Sequence, residues 1–326
     1  MELLPNFNLL HPRSIAEAVA ARAGAGETRF LAGGTDLLAA MRHGLVHADT
    51  LVDLSGVAEL RGISTDAKGM RIGAGTTLEE LSAHPLVARD YAAVAEAALA
   101  IAGPTHRAVG TVGGNLCLDT RCRYYNQSEP WRTANNFCMK LVGDTCRVAP
   151  KSSRCYAAYS GDLAPTLIVH GAIAEIAGPA GLRDVPLADI YADDGIGYLK
   201  LAPGELLAAV RMPAANGMRS GYEKIRTRGA IDFPLAGVAV AFRFENGKMR
   251  DLHIATTGAD SRPLAITGLG ELCALPIEEA LTQLDKTMRK QVGPMETTIT
   301  PATYRRKVMP VLARRLIQRL LATDAA

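Results

Sequence analysis

Thr111-Val112-Gly113-Gly114-Asn115 opens a stretch that passes Cys122, Cys138, Cys146 and Cys155 and closes on Gly161-Asp162-Leu163-Ala164-Pro165. Its glycine pair lets backbone approach a ligand or a neighbouring chain closely, because no Cβ intervenes. A second pair stands upstream, in Arg29-Phe30-Leu31-Ala32-Gly33-Gly34-Thr35-Asp36. There a short strand runs into the glycines and a helical run follows from Leu37 to Arg42. Strand, glycine turn and helix start gather amide N–H groups and a helix dipole around a concave turn suited to a phosphate or pyrophosphate. The same turn serves equally as an ordinary strand–helix connection, since neither a full G-x-G-x-x-G nor a P-loop lysine is present. Two such loops about eighty residues apart suggest two walls of one dinucleotide site.

Around these loops the pattern is that of a mixed α+β protein. Ser14 caps an amphipathic helix from Ile15 to near Gly24. Thr50–Leu54 and Met70–Ala74 read as strands, and Thr76-Thr77-Leu78-Glu79 as a capping box opening a helix through about Leu86. Tyr91–Ile101 is Ala-rich and helical, stopped by Gly103-Pro104. Thr166–Val169, Ala172–Ile176 and Leu182–Val185 read as strands of a small antiparallel sheet. Further strands follow at Glu205–Met212 and Gly221–Thr227, then a hairpin of Leu235–Glu245 and Met249–Thr257 across Asn246-Gly247, a type I′ turn signal. Ile277–Met288 is a helix, and Thr300-Pro301 starts a long final helix that Pro310 is expected to kink. Arg305, Arg306, Lys307, Arg314, Arg315 and Arg319 are expected on its solvated face. The loop-rich run after Pro186 suggests two domains, 1–185 and 186–326.

Bulk composition narrows the function. A chain of 326 residues with 48% hydrophobic and 21% charged residues buries a sizeable core and is not disordered. A net charge of +3 gives no reason to expect a nucleic-acid partner. No apolar run approaches the ~20 residues of a membrane span, and Met1-Glu2-Leu3-Leu4-Pro5 lacks the basic start of a secretory signal. A cytoplasmic protein is expected. Of six cysteines, five lie between positions 117 and 155, which in a reducing compartment points to metal or redox work rather than disulfides. Cys122, Cys138, Cys146 and Cys155 are separated by 15, 7 and 8 residues, without a C-x-x-C pair. That spacing leaves zinc, structural cysteines and an iron–sulfur cluster all open.

The loops resemble those of the molybdenum hydroxylase flavoprotein subunits, the family of the flavin subunits of carbon monoxide and xanthine dehydrogenases. Leu31-Ala32-Gly33-Gly34-Thr35-Asp36-Leu37-Leu38 is similar to its first FAD-pyrophosphate loop and Thr111–Asn115 to its second. Asp162-Leu163-Ala164-Pro165, Tyr222-Glu223-Lys224-Ile225-Arg226 and Tyr304-Arg305-Arg306 also match. The resemblance implies a two-part FAD-binding domain plus a C-terminal α+β domain. It implies that Arg29 through Asp36 and Thr111 through Asn115 surround the pyrophosphate and ribityl chain. Ile101 would contact the flavin, and Asp162 and Lys224 would add polar contacts.

One segment departs from that pattern. About forty extra residues, at about 116–159, separate the second loop from Asp162 and hold the cysteines. Such an insert resembles that of a reductase branch of the family, whose flavin subunit carries an additional 4Fe–4S cluster. This implies Cys122, Cys138, Cys146 and Cys155 as ligands, with Cys117 and Cys273 structural. Arg121, Arg123, Arg132, Lys140, Arg147, Lys151 and Arg154 would favour an anionic centre. The implied partners are a molybdopterin-containing large subunit, a small subunit with two 2Fe–2S clusters and ferredoxin as donor, in a dimer of heterotrimers. No side chain reads as a catalytic acid or base, and His106 reads as structural. Two other readings stand beside this one: an oxidising hydroxylase subunit passing electrons to NAD or a quinone, and a non-redox protein with a zinc-braced loop.

Overall fold

The computed structural model describes residues 3–22 and 26–322. Its first sheet is parallel, with β1 (Asn8–Leu10) and β2 (Thr28–Leu31) flanking β3 (Thr50–Asp53). Parallel neighbours need crossovers, supplied by α1 (Ile15–Arg22) and α2 (Leu37–Arg42). The Ser14 hydroxyl accepts from the Glu17 amide at 3.1 Å and so starts α1. The expected end of that helix near Gly24 lies outside the described residues.

Five strands form the second sheet in the order β4-β5-β8-β6-β7. They are β4 (Ile63–Asp66), β5 (Gly69–Gly73), β6 (Ile173–Gly178), β7 (Gly181–Pro186) and β8 (Leu206–Pro213), all antiparallel. The central strand, β8, comes from beyond Pro186, and its run Leu206–Val210 is buried throughout.

Between β5 and β6 come α3 (Leu78–Ala83), α4 (Pro85–Asp90), α5 (Ala92–Ala100), α6 (Pro104–Arg107), α7 (Val112–Leu116), α8 (Glu129–Ala134) and α9 (Leu163–Val169). Three expectations are corrected here. The capping box is Thr77 with Glu80, one residue later than read. Twin Thr and twin Glu allow both registers, and the Thr76 hydroxyl instead donates to the Gly62 carbonyl at 3.2 Å. The helix does not continue to Leu86, because Pro85 holds His84 extended and starts a new one. Thr166–Val169 is the end of helix α9, not a strand. A short apolar run buried on all sides carries no periodicity to separate the two, and Pro165 is tolerated in a first helical turn.

The third sheet runs β12-β11-β10-β9, made of β9 (Arg219–Ile225), β10 (Ala236–Glu245), β11 (Lys248–Thr257) and β12 (Leu264–Ala265). Asn246 and Gly247 both take positive φ, 51° and 76°, as a type I′ turn requires. One face packs on α10 (Ile277–Gln291) and α11 (Ala302–Ala322) through Val238, Val240, Phe242, Leu284 and Leu316. The other meets α5, whose alanines permit close approach: the Ala93 amide donates to Ser220 Oγ at 3.1 Å. Glu96 on α5 accepts from the Tyr222 amide at 2.7 Å and pairs with Arg319 at 2.8 Å. Helix α11 runs unbroken through Pro310. Arg305 leaves the expected basic face and is wholly buried. Its guanidinium donates to the carbonyls of Leu235, Met295 and Gly258 and to Thr297 Oγ1. Burial lowers it to about 10, so it stays charged at neutral pH. No helix among the described residues is long and apolar enough to cross a membrane.

Candidate functional site

The two glycine loops meet because neither has side chains in the way. A Cβ on Gly33 would lie 2.0 Å from the Val109 carbonyl oxygen, just before the second loop. Gly34 sits at φ 70°, a left-handed turn that redirects β2 into α2. In the second loop, Gly113 packs on Ala74, where a Cβ would come within 2.8 Å of the alanine methyl. The Gly113 amide donates to the Ala74 carbonyl at 2.7 Å, and Thr111 caps α7 by accepting from the Gly114 amide at 3.1 Å. Asn115 Oδ1 accepts from the Leu163 amide at 3.0 Å and so fixes the loop to α9.

Between the loops opens a cleft of about 1620 Å³, well beyond the ~300–1,000 Å³ of a drug-sized pocket. Arg29, Phe30, Leu31, Ala32, Gly33, Gly34, Thr35 and Asp36 line it, as do Ile101, Thr111, Gly113, Gly114, Asn115 and Asp162. Two expected contacts are absent from its walls. Val112 is fully buried in the core under α7. Lys224 stands behind Asp162, its Nζ 2.9 Å from Asp162 Oδ1 with both side chains nearly inaccessible. Tyr222 donates its hydroxyl to the same carboxylate at 2.6 Å. Burial still pushes the Asp162 carboxyl above its ordinary value, against the pull of Lys224 and Tyr222. His106 also lines the cleft.

Cys122, Cys138, Cys146 and Cys155 line a second, much smaller chamber of about 10 Å³. Cys117 belongs instead to the cleft wall, where burial pushes its thiol to about 12. Cys273 is remote, packed beside the core under β10 and β11. Cys138 follows two residues in left-handed conformation, Asn136 and Phe137 (φ 53° and 55°), which turn the loop inward after α8. Cys155 is tied down by its carbonyl accepting from the Gly195 amide at 2.9 Å, and its sulfur accepts from the Ala157 amide at 3.4 Å. Gly195 is required there: a Cβ would stand 2.8 Å from Cys155 Sγ. Burial raises the Cys155 thiol to about 11, opposed by the Ala157 amide and the Lys140 charge.

Of the seven basic residues of the insert, Lys140 and Arg147 line the chamber. Arg121 reaches Asp36 in the first glycine loop at 2.5 Å, which takes that carboxylate from helix capping. Arg132 is buried and donates to the carbonyls of Gln127, His43 and Gly44, and Arg154 pairs with Asp193 at 2.9 Å. Most of that charge is therefore anchoring. No three His, Cys, Asp or Glu side chains among the described residues are placed to hold a single metal ion.

Residues 5–215 match the FAD binding domain in molybdopterin dehydrogenase. The chain belongs to the family of molybdenum hydroxylase FAD-binding subunits. It is 31% identical to the carbon monoxide dehydrogenase medium chain of Afipia carboxidovorans, with 97% of each chain covered. It is 36% identical to the aldehyde oxidoreductase FAD-binding subunit PaoB of Escherichia coli over 65% of this chain and 69% of that one. In structure it is similar to the cyanide-inactivated Cu,Mo-CO dehydrogenase, with a TM-score of 0.80, 29% identity, and 98% and 99% of the two chains covered.

Sequence reasoning about this FAD-binding subunit passed over Tyr125 and took Lys140 only as one of the insert's basic residues, whereas both line the cleft and the cysteine chamber alike. It also passed over Tyr198 in the cleft wall, and gave Asp119 beside it no part in the site. Nothing local marks them: one lysine among seven basic residues and two tyrosines among nine gain meaning only from what they face.

Proposed function

We propose that this chain carries FAD in the cleft and one 4Fe–4S cluster in the cysteine chamber, as the electron-transfer subunit of a molybdenum hydroxylase that oxidises its substrate. The arrangement that carries the reading is four thiols around one chamber whose wall is shared with the flavin cleft. Burial pushes the Cys122 and Cys155 thiols upward and makes those two poor nucleophiles. Arg29 through Asp36, Ile101, Thr111, Gly113, Gly114, Asn115 and Asp162 would hold FAD. Val112 and Lys224 would act from behind. Cys122, Cys138, Cys146 and Cys155 would hold the cluster. Flavin exchanges one or two electrons and so suits a junction between a two-electron substrate reaction and one-electron centres.

The oxidising direction is supported by relatives named as carbon monoxide dehydrogenase and aldehyde oxidoreductase subunits. Substrate chemistry would lie on a molybdopterin-containing large subunit, with a 2Fe–2S small subunit between, in a dimer of heterotrimers. The cysteine insert favours a second reading, the flavoprotein subunit of 4-hydroxybenzoyl-CoA reductase, which takes electrons from reduced ferredoxin. We further place the division between the two parts after β8, because that strand completes the sheet of the first part.

Anaerobic flavin, iron and sulfide analysis of the purified chain tests the cofactor assignment; one FAD with about four irons and four sulfides is expected. Zinc in place of iron, after anaerobic handling, overturns it. Mixing the whole complex with aldehydes decides the direction: bleaching of the flavin without added reductant is expected. Turnover confined to 4-hydroxybenzoyl-CoA with reduced ferredoxin selects the second reading.

A further inference from the structure

Resting on the two-cofactor reading above, we propose that Lys140 and Asp119 form an electrostatic divider that sets the potentials of the flavin and of the cysteine-bound centre. Lys140 lines both the cleft and the chamber, yet its side chain is only 5% exposed. Its Nζ is fixed by Asp119 Oδ1 at 2.8 Å, Thr120 Oγ1 at 2.8 Å and the Gly195 carbonyl at 2.5 Å. The rings of Tyr125 and Tyr198 cover it at 5.1 and 5.5 Å from their centroids. Asp119 lines the cleft but not the chamber. The pair is therefore oriented, with its carboxylate toward the flavin side and its ammonium shared by both.

A lysine is strongly hydrated and seldom buried. Bracing Thr120 and the Gly195 loop needs only hydrogen-bond donors, which a neutral group can supply; the charge itself is met by Asp119, which stands on the cleft side. In a site walled from water, a fixed charge acts across several ångströms on either side. Positive charge beside an iron–sulfur centre or a flavin favours the reduced, more negative form.

Midpoint potentials of both centres, measured by anaerobic titration of the full chain with optical and EPR detection, test this. Lys140→Met is expected to lower both midpoints, and Lys140→Arg to leave them near wild type. Asp119→Asn is expected to raise both, the flavin's more. The divider is overturned if Lys140→Met retains flavin and iron with either midpoint unmoved, or if Lys140→Arg shifts as far as Lys140→Met. Should Lys140→Met fail to fold, the sign of the Asp119→Asn shift decides alone. Wild-type chain holding flavin but no iron sinks the two-cofactor reading and this inference with it; iron and flavin present with immobile midpoints sinks only the inference.

Discussion

The flavin cleft and the cysteine chamber share a wall but are built by opposite means. The cleft is shaped by main chain: Gly33 against Val109 and Gly113 against Ala74 leave no room for a Cβ. The chamber lies in a segment with one six-residue helix, α8, and is held by side chains reaching out to carbonyls and carboxylates. Arg132 anchors it to the end of α2, Arg121 to the first glycine loop, and Lys140 to the Gly195 loop. A main-chain site fails when atoms are added, and a side-chain site when they are removed. Between them, Tyr125 and Lys140 belong to both.

The sharpest way to break that contrast is Gly33→Ala. With 2.0 Å to the Val109 oxygen, the new methyl must part the two loops. We expect loss of flavin absorbance and a destabilisation of about 3 kcal/mol or more in denaturant melts; full flavin retention would refute the main-chain account. If the four thiols hold the proposed cluster, Cys138→Ser should do the reverse, removing iron and sulfide while flavin content stays at one per chain. Simultaneous loss of both would mean that the chamber supports the cleft structurally.

Arg132→Ala sharpens the comparison further. It removes the guanidinium donor from the His43, Gly44 and Gln127 carbonyls, and charged hydrogen bonds of this kind are worth about 2 kcal/mol. Faster hydrogen exchange across 117–155, with the glycine loops unchanged, is the expected readout. The smallest effect concerns Asp260, whose backbone carbonyl accepts from the Tyr159 amide at 2.9 Å, near where the insert rejoins the fold. Burial pushes its carboxyl up to about 6 from an ordinary 3.8, and its Oδ2 has no hydrogen-bond partner. The folded chain then holds the extra proton between those values, so stability falls as pH rises from about 4 to 6. Asp260→Asn should flatten that slope and raise stability at pH 7 by about 1 kcal/mol, allowing for partial exposure. A pH–stability curve with unchanged slope would discard the assignment.

Much of this was legible in the residues because it is local or rests on backbone freedom. The Asn246-Gly247 hairpin, the Ser14 cap and the Ala-rich α5 follow from turn chemistry and propensity, and the paired glycine loops led to the family. The five clustered cysteines marked a metal or redox segment, and the family resemblance set Cys122, Cys138, Cys146 and Cys155 apart from Cys117, while their spacing alone did not. Only the tertiary structure placed Cys117 in the cleft wall and the other four around the chamber, because loop residues gain position from long-range anchors and not from spacing. Only it buried Arg305 under the third sheet and used Arg132 as an anchor, since a charged side chain declares its partner only when distant carbonyls arrive beside it. The same holds for Lys140, a surface charge by composition and a buried cation between two sites by folding.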